Sequence, residues 1–151
     1  MSAQADRIAE LVGEAPIDAA ALLSDTEHFI SRFCSFPDEH ALVAATLWTA
    51  HTHMVEHFHT TPRLALLSPE AASGKTRVLE ILNLVVPEPM FCFSASPAAI
   101  FRTLSTGQIT LLVDETDAIF QKRGKDDAHE DLRALLNAGY KRGAKIPRCV
   151  G

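Results

Sequence analysis

The chain has 151 residues, 47% hydrophobic and 22% charged, with a formal net charge of −5. That balance fits one globular domain rather than a disordered, fibrous or low-complexity chain, and its acidic total argues against a protein that coats nucleic acid by general electrostatics. No stretch approaches the roughly 18 uninterrupted apolar residues of a membrane span, and the start MSAQADRIAE lacks the basic-then-apolar pattern of a secretory signal, so the expected compartment is the cytoplasm.

The first sixty residues carry helical spacing and no convincing strand, with Ile8, Leu11 and Val12 on one face, then Phe29, Ile30 and Phe33 on another. Asp25 or Thr26 is the expected cap of the second helix. Phe36-Pro37-Asp38 breaks the chain before a longer helix over about Glu39 to Phe58, expected to bury Leu42, Val43, Leu47 and Trp48. After Thr60-Thr61-Pro62 the period changes, and Leu64 to Leu67 reads as a parallel strand covered on both faces. A helix from near Gly74 through Val85 follows, stopped by Pro87 and Pro89. Met90 to Phe93 is the second strand, Ser96-Pro97 opens a helix that ends by Gly107, and Ile109 to Val113 is the third strand. A last helix is expected from about Ala128 to Tyr140, with Gly143 and Pro147 closing the chain. Strands alternating with helices predict a parallel α/β sheet with ligands at the carboxyl ends of the strands.

Charge and thiols are unevenly placed. From residue 121 onward eight lysines or arginines stand against four acids, a local charge of +4, which leaves −9 for the rest. The basic region could touch phosphates, nucleic acid or a neighbour's acidic face, or simply form a solvated helix surface. Cys34, Cys92 and Cys149 are odd in number and form no C-x-x-C pair, so they read as reduced thiols rather than a disulfide framework or zinc ribbon.

Two motifs fall at strand ends. Ser68-Pro69-Glu70-Ala71-Ala72-Ser73-Gly74-Lys75-Thr76 matches G-x-x-x-x-G-K-S/T except that proline replaces the first glycine. Backbone N–H groups around Ser73, Gly74, Lys75, Thr76 and Arg77 can converge on phosphates, helped by the positive end of the following helix. In such a loop Lys75 places a charge between the β- and γ-phosphates and the Thr76 hydroxyl is a ligand for Mg2+. Pro69 cannot supply the positive φ of the replaced glycine, so the opening of the loop must differ from the usual one. The second motif is the apolar run Ile109 to Val113 followed by Asp114-Glu115-Thr116-Asp117. There Asp114 can hold Mg2+ through its water shell, Glu115 can polarise the attacking water, and Asp117 can support either. Each motif alone also fits a bland feature, a chance helix start or acids at a helix N-terminus. In order, about forty residues apart and each ending a strand, they point to a nucleotide site.

A competing signal lies upstream. His53-Met54-Val55-Glu56-His57 matches H-x-x-E-H, within the cluster His51, His53, His57 and His59. On one helix His53 and His57 share a face, so a zinc-dependent hydrolase with Glu56 as base is the alternative, against a plain polar helix face.

The segment from about Ala41 to Gly143, two-thirds of the chain, resembles a family of P-loop ATPase domains of actinobacterial phages, prophages and plasmids, often in primase-helicase-like replication proteins. The resemblance is carried by Leu47 to His53, Thr61-Pro62-Arg63-Leu64, Ser68-Pro69 with Gly74-Lys75-Thr76-Arg77 and Leu79-Glu80, Leu111 to Asp117, and Leu135 to Gly143. In that family the Ser-Pro opening of the loop recurs. The resemblance implies an α/β fold with a parallel P-loop NTPase-type sheet flanked by helices, a helical segment over 1–60 and the first half of the NTPase core over 61–151. It implies ATP and Mg2+ as ligands, Lys75 and Glu115 as the catalytic pair, Thr76 and Asp114 at the metal, and a homo-oligomer or larger replication protein as the setting. NTPases of this additional-strand type carry another strand between the phosphate-loop strand and the Asp-Glu strand, which this chain would lack; the core is therefore expected to be incomplete. Nucleotide binding is then a firmer expectation than turnover, with Arg142 or Arg148 acting in trans as one way to recover activity. The rival expectation is a shortened, non-catalytic relative that regulates a partner protein, including as a phage-host interference factor.

Overall fold

The structure, a computed structural model, describes residues 17–68, 73–93, 97–105, 107–114, 133–134, 136–137 and 139–143. The expected first helix around Ile8 and most of the last helix lie outside these residues.

Helix α1 spans Ala19–Phe33 and opens seven residues before the expected caps. Asp18 is the cap: its carboxylate accepts from the amides of Ala20 (3.0 Å) and Ala21 (3.1 Å). The strong helix formers Ala19 to Leu23 carry the helix past Asp25 and Thr26, and Thr26 instead returns its hydroxyl to Leu22 O at 2.8 Å. Pro37 ends the connection, and Asp38 caps α2 (Glu39–His53) by accepting from Ala41 N at 2.8 Å.

The burial of α2 differs from the expectation. Its buried residues are Ala45, Thr46, Thr49 and Thr52, while Val43 and Leu47 are 39% and 54% exposed. Small residues let the neighbouring helix approach closely. Each buried threonine donates its hydroxyl to a carbonyl of its own helix, at 3.0, 2.9 and 2.6 Å, so none of these three hydroxyls is stranded by burial. Leu42 and Trp48 do pack inward. The helix stops at His53 rather than Phe58, because Met54 N–H bonds back only three residues to His51 O and the chain tightens into a 3-10 turn over Val55–His57.

Residues 61–68 are not a strand. Leu64 and Leu66 face the helical core and Leu67 is 90% exposed, an alternation that covers one side only. A parallel strand needs a neighbour to take its backbone groups, and among the described residues only two strands pair. The segment is held instead by side chains, including Trp48 Nε1, which donates to Pro62 O at 3.2 Å.

Helix α3 (Lys75–Leu82) buries Val78, Ile81 and Leu82 and ends three residues before the expected Val85, in a turn over 83–85 ahead of Pro87. Strand β1 (Pro89–Cys92), helix α4 (Pro97–Leu104) and strand β2 (Thr110–Val113) follow as the hydrophobic periods indicate. The two strands run parallel, with Pro89 opposite Thr110 and Cys92 opposite Val113. The architecture is thus α/β, with a small parallel sheet.

Two apolar clusters organise the chain. The first joins Ile30 and Cys34 of the α1 region to Val78, Ile81 and Leu82 of α3, so it draws on both sides of residue 60. The second surrounds Ile100 with Met90, Leu104, Leu111, Val113 and Leu136. Residues 139–143 are pinned to the region after α2: Thr60 and Lys141 form an antiparallel bridge, Thr61 N–H donates to Tyr140 O (2.7 Å) and Arg142 N–H to His59 O (3.0 Å). Among the described residues no helix is long and apolar enough to cross a membrane.

Candidate functional site

The site forms where the start of α3 meets the end of β2. Gly74 caps α3 with φ +86°, a left-handed conformation that side chains disfavour. A Cβ there would meet nothing within 4 Å, so in this conformation the glycine answers to backbone angle rather than crowding. Hydrogen bonding inside α3 begins with Val78 N–H to Gly74 O at 3.1 Å, and the amides of the first turn before it are not used within the helix.

Sequence positions 38 apart meet here: Thr76 Oγ1 donates to Asp114 Oδ2 at 2.6 Å. Asp114 is set by the ladder, since its N–H donates to Cys92 O at 2.9 Å and so continues the pairing of β1 and β2 by one residue. Thr76 is set by α3, whose opposite face is locked into the helical core through Val78, Ile81 and Leu82. Lys75 Nζ donates to Ser73 Oγ at 3.0 Å, which folds the ammonium back over the turn. Ser73 and Gly74 are exposed; Lys75, Thr76 and Asp114 are half-buried. The arrangement sets an ammonium, a hydroxyl and a carboxylate around the open end of a helix.

The side chain of Arg77, whose backbone N–H is the group expected at the site, pairs with Glu80 at 3.2 Å, both side chains about half exposed; such a surface pair contributes under about 1 kcal/mol. The guanidinium of Arg142 donates to the carbonyl of Glu56. Pro69, Glu115, Asp117 and Arg148 lie outside the described residues.

The H-x-x-E-H arrangement is lost with the helix that should have carried it. His53 ends α2 and its Nε2 hydrogen-bonds Val85 O at 2.8 Å, whereas His57 sits in the 3-10 turn. His51 packs on Phe58 with ring centroids 4.5 Å apart. Among the described residues no group of three or more His, Cys, Asp or Glu could hold a metal ion. Among the described residues the thiols Cys34 and Cys92 do not offer an alternative nucleophile. Burial raises Cys34, against a smaller lowering by Arg77, and burial alone raises Cys92, so both stay protonated at neutral pH.

A shallow depression bordered by Arg32, Asp38 and Glu39 lies at the α1–α2 connection and contains none of the site residues. What sequence reasoning missed is the support: the Trp48, His53 and Arg142 links to backbone carbonyls, for which spacing offers no signal.

No family model, no curated protein and no solved structure matches the chain. The family resemblance therefore rests on the motifs themselves.

Proposed function

We propose that the chain binds a magnesium nucleoside triphosphate, ATP in the first instance, at the junction of α3 and β2. The observation that carries this reading is the 2.6 Å hydrogen bond from Thr76 to Asp114, which joins the two motifs across 38 residues. A hydroxyl and a carboxylate this close are hard oxygen donors of the kind Mg2+ takes, so these residues fit the ion and would hold it. Bound there, the ion would neutralise charge between the β- and γ-phosphates. Lys75 would leave Ser73 for the phosphates, and the amides of the first turn of α3 would donate to the phosphate oxygens. Together with the family resemblance, this supports a reading of the chain as an ATPase-type domain of a phage, prophage or plasmid replication protein.

Calorimetric titration with ATP, with and without Mg2+, tests the reading. Lys75→Ala should weaken Mg-ATP binding by about 30-fold or more, the loss of one charge-assisted contact worth about 2 kcal/mol. If Lys75→Ala binds as tightly as the wild type, the site is not where we propose it.

A sheet of two strands among the described residues is compatible with a second reading, in which the chain binds nucleotide without turning it over and acts through a partner protein. Steady-state ATPase assays of the wild type and Glu115→Gln separate the two. Turnover abolished by Glu115→Gln supports the enzyme, and binding without turnover supports the regulator.

A further inference from the structure

Away from the nucleotide site the fold joins two distant segments into a short ribbon. Thr60 and Lys141 face each other across an antiparallel bridge, flanked by Thr61 N–H to Tyr140 O (2.7 Å) and Arg142 N–H to His59 O (3.0 Å). Side chains alternate between the two sides of such a pair, and directly opposed residues share a side. Thr60 and Lys141 therefore stand on one side, and His59 with Arg142 and Thr61 with Tyr140 on the other. All of these but Thr61 are exposed, Tyr140 by 50%.

The ribbon carries charge of one sign. Residues 57–63 and 139–143 contain Arg63, Lys141 and Arg142 and no Asp or Glu, in a chain whose net charge is −5. Among the described residues none of these three cations forms an ion pair. The carbonyl of Glu56 accepts from Arg142, which orients the guanidinium and leaves it further N–H groups to donate.

The shape of the groups selects the partner. His59, Tyr140 and Arg142 bring an imidazole, a phenol and a guanidinium to one side, and each offers a plane on which an unpaired base stacks. Residues two apart on an extended strand are separated by about 6.6 Å. Neighbouring bases on one strand of a duplex are only about 3.4 Å apart. Bases seated on Tyr140 and on Arg142 are thus drawn away from each other, which an unpaired strand allows and a duplex does not. An acidic protein surface would match the charge and leave the planes unused.

We infer that this ribbon binds single-stranded nucleic acid, with bases against His59, Tyr140 and Arg142 and phosphates against Arg63 and Lys141. Three cations make the binding weak, with a dissociation constant on the order of 10 µM near physiological salt. The ribbon includes none of the residues at the nucleotide site, so the two readings stand or fall separately.

Fluorescence anisotropy of a labelled deoxythymidine oligomer of about twelve nucleotides, titrated with the full chain over a salt series, tests it. The logarithm of affinity should fall against the logarithm of salt with a slope of about −2, the value for three cations on a single strand. Lys141→Ala should bring that slope to about −1.4. Tyr140→Ala should weaken binding at least ~5-fold with the slope unchanged, because stacking releases no counterions. Arg142→Lys keeps the charge and removes the plane, so it too should lower affinity at constant slope, and it carries the test if Tyr140→Ala fails to fold. A uridine oligomer of the same length should bind within about 3-fold, since neither contact uses the sugar. Absence of binding overturns the inference, as does equal affinity for a duplex or a preference of more than about tenfold for either sugar. So does displacement by polyglutamate as effective as by unlabelled strand, or an affinity indifferent to both Tyr140→Ala and Arg142→Lys.

Discussion

The helical layer and the strand layer bury their side chains differently. Around Ile30 the first layer gathers Cys34, Val78, Ile81 and Leu82, with Phe29, Phe36, Leu42, Trp48, Leu64, Leu66 and Val85 packed against them. Around Ile100 the second gathers only partly buried neighbours. Apolar burial contributes roughly 1.5–3 kcal/mol for each fully buried aliphatic side chain, so the helical layer carries more of the stability among the described residues. The chemistry sits on the other side. Helix α3 belongs to both layers: Val78, Ile81 and Leu82 anchor it in the first, and Thr76 at its start touches Asp114 at the end of β2. A helix fixed by its buried face can hold a hydroxyl against a carboxylate that ends a strand of the small sheet.

If the division of labour is right, the two layers respond to different changes. The largest effect on folding is expected from Leu82→Ala, which empties a fully buried position in the helical layer and should cost about 2–5 kcal/mol in urea unfolding. An equal loss from Ile100→Ala would break the comparison, since it would give the strand layer the same weight. Thr76→Ala should act in the opposite sense. It removes the hydroxyl at the metal position, so Mg2+-dependent ATP affinity should fall about tenfold by titration, while folding stability changes by no more than the ~1 kcal/mol of one hydrogen bond. Asp18→Ala removes the cap of α1, whose buried contacts do not include the site residues; we expect a loss of about 1 kcal/mol in unfolding free energy and an unaltered ATP titration.

The smallest effect concerns the two thiols, one in the helical core and one on β1. Burial raises both above the ordinary value of 9.0, so the folded chain keeps these protons to higher pH than the unfolded chain does. That contribution to stability is complete below 9.0 and is lost as pH rises through the raised values. Unfolding midpoints measured across the alkaline range should therefore decline less steeply in Cys34→Ala than in the wild type. Identical slopes would show that Cys34 is not the group responsible.

Much of the chain was legible before any coordinates. The strands at Met90 and Leu111, the helix opening at Pro97 and the helix start at Glu39 follow from local chemistry, because a proline or a short apolar run acts on its immediate neighbours. Errors arose where a local pattern had two solutions. Leu64 to Leu67 reads equally as a strand buried on both faces or as an extended segment leaning on helices, and only a pairing neighbour decides between them. The apolar residues of α2 point to two sides of the helix, and periodicity could not say that the threonine side, not Val43 and Leu47, goes inside.

The amino-acid sequence by itself determined which residue types stand at the candidate site: a glycine able to take positive φ, a lysine and a threonine at a helix start, and a carboxylate closing an apolar strand. Tertiary structure alone decided that Thr76 reaches Asp114, that the side chains of Arg77 and Arg142 meet Glu80 and the carbonyl of Glu56, and that His53 and His57 part company. The reason is range. Backbone preferences extend over a few residues, whereas a contact across 38 positions exists only once a shared core has oriented the elements that carry its two ends.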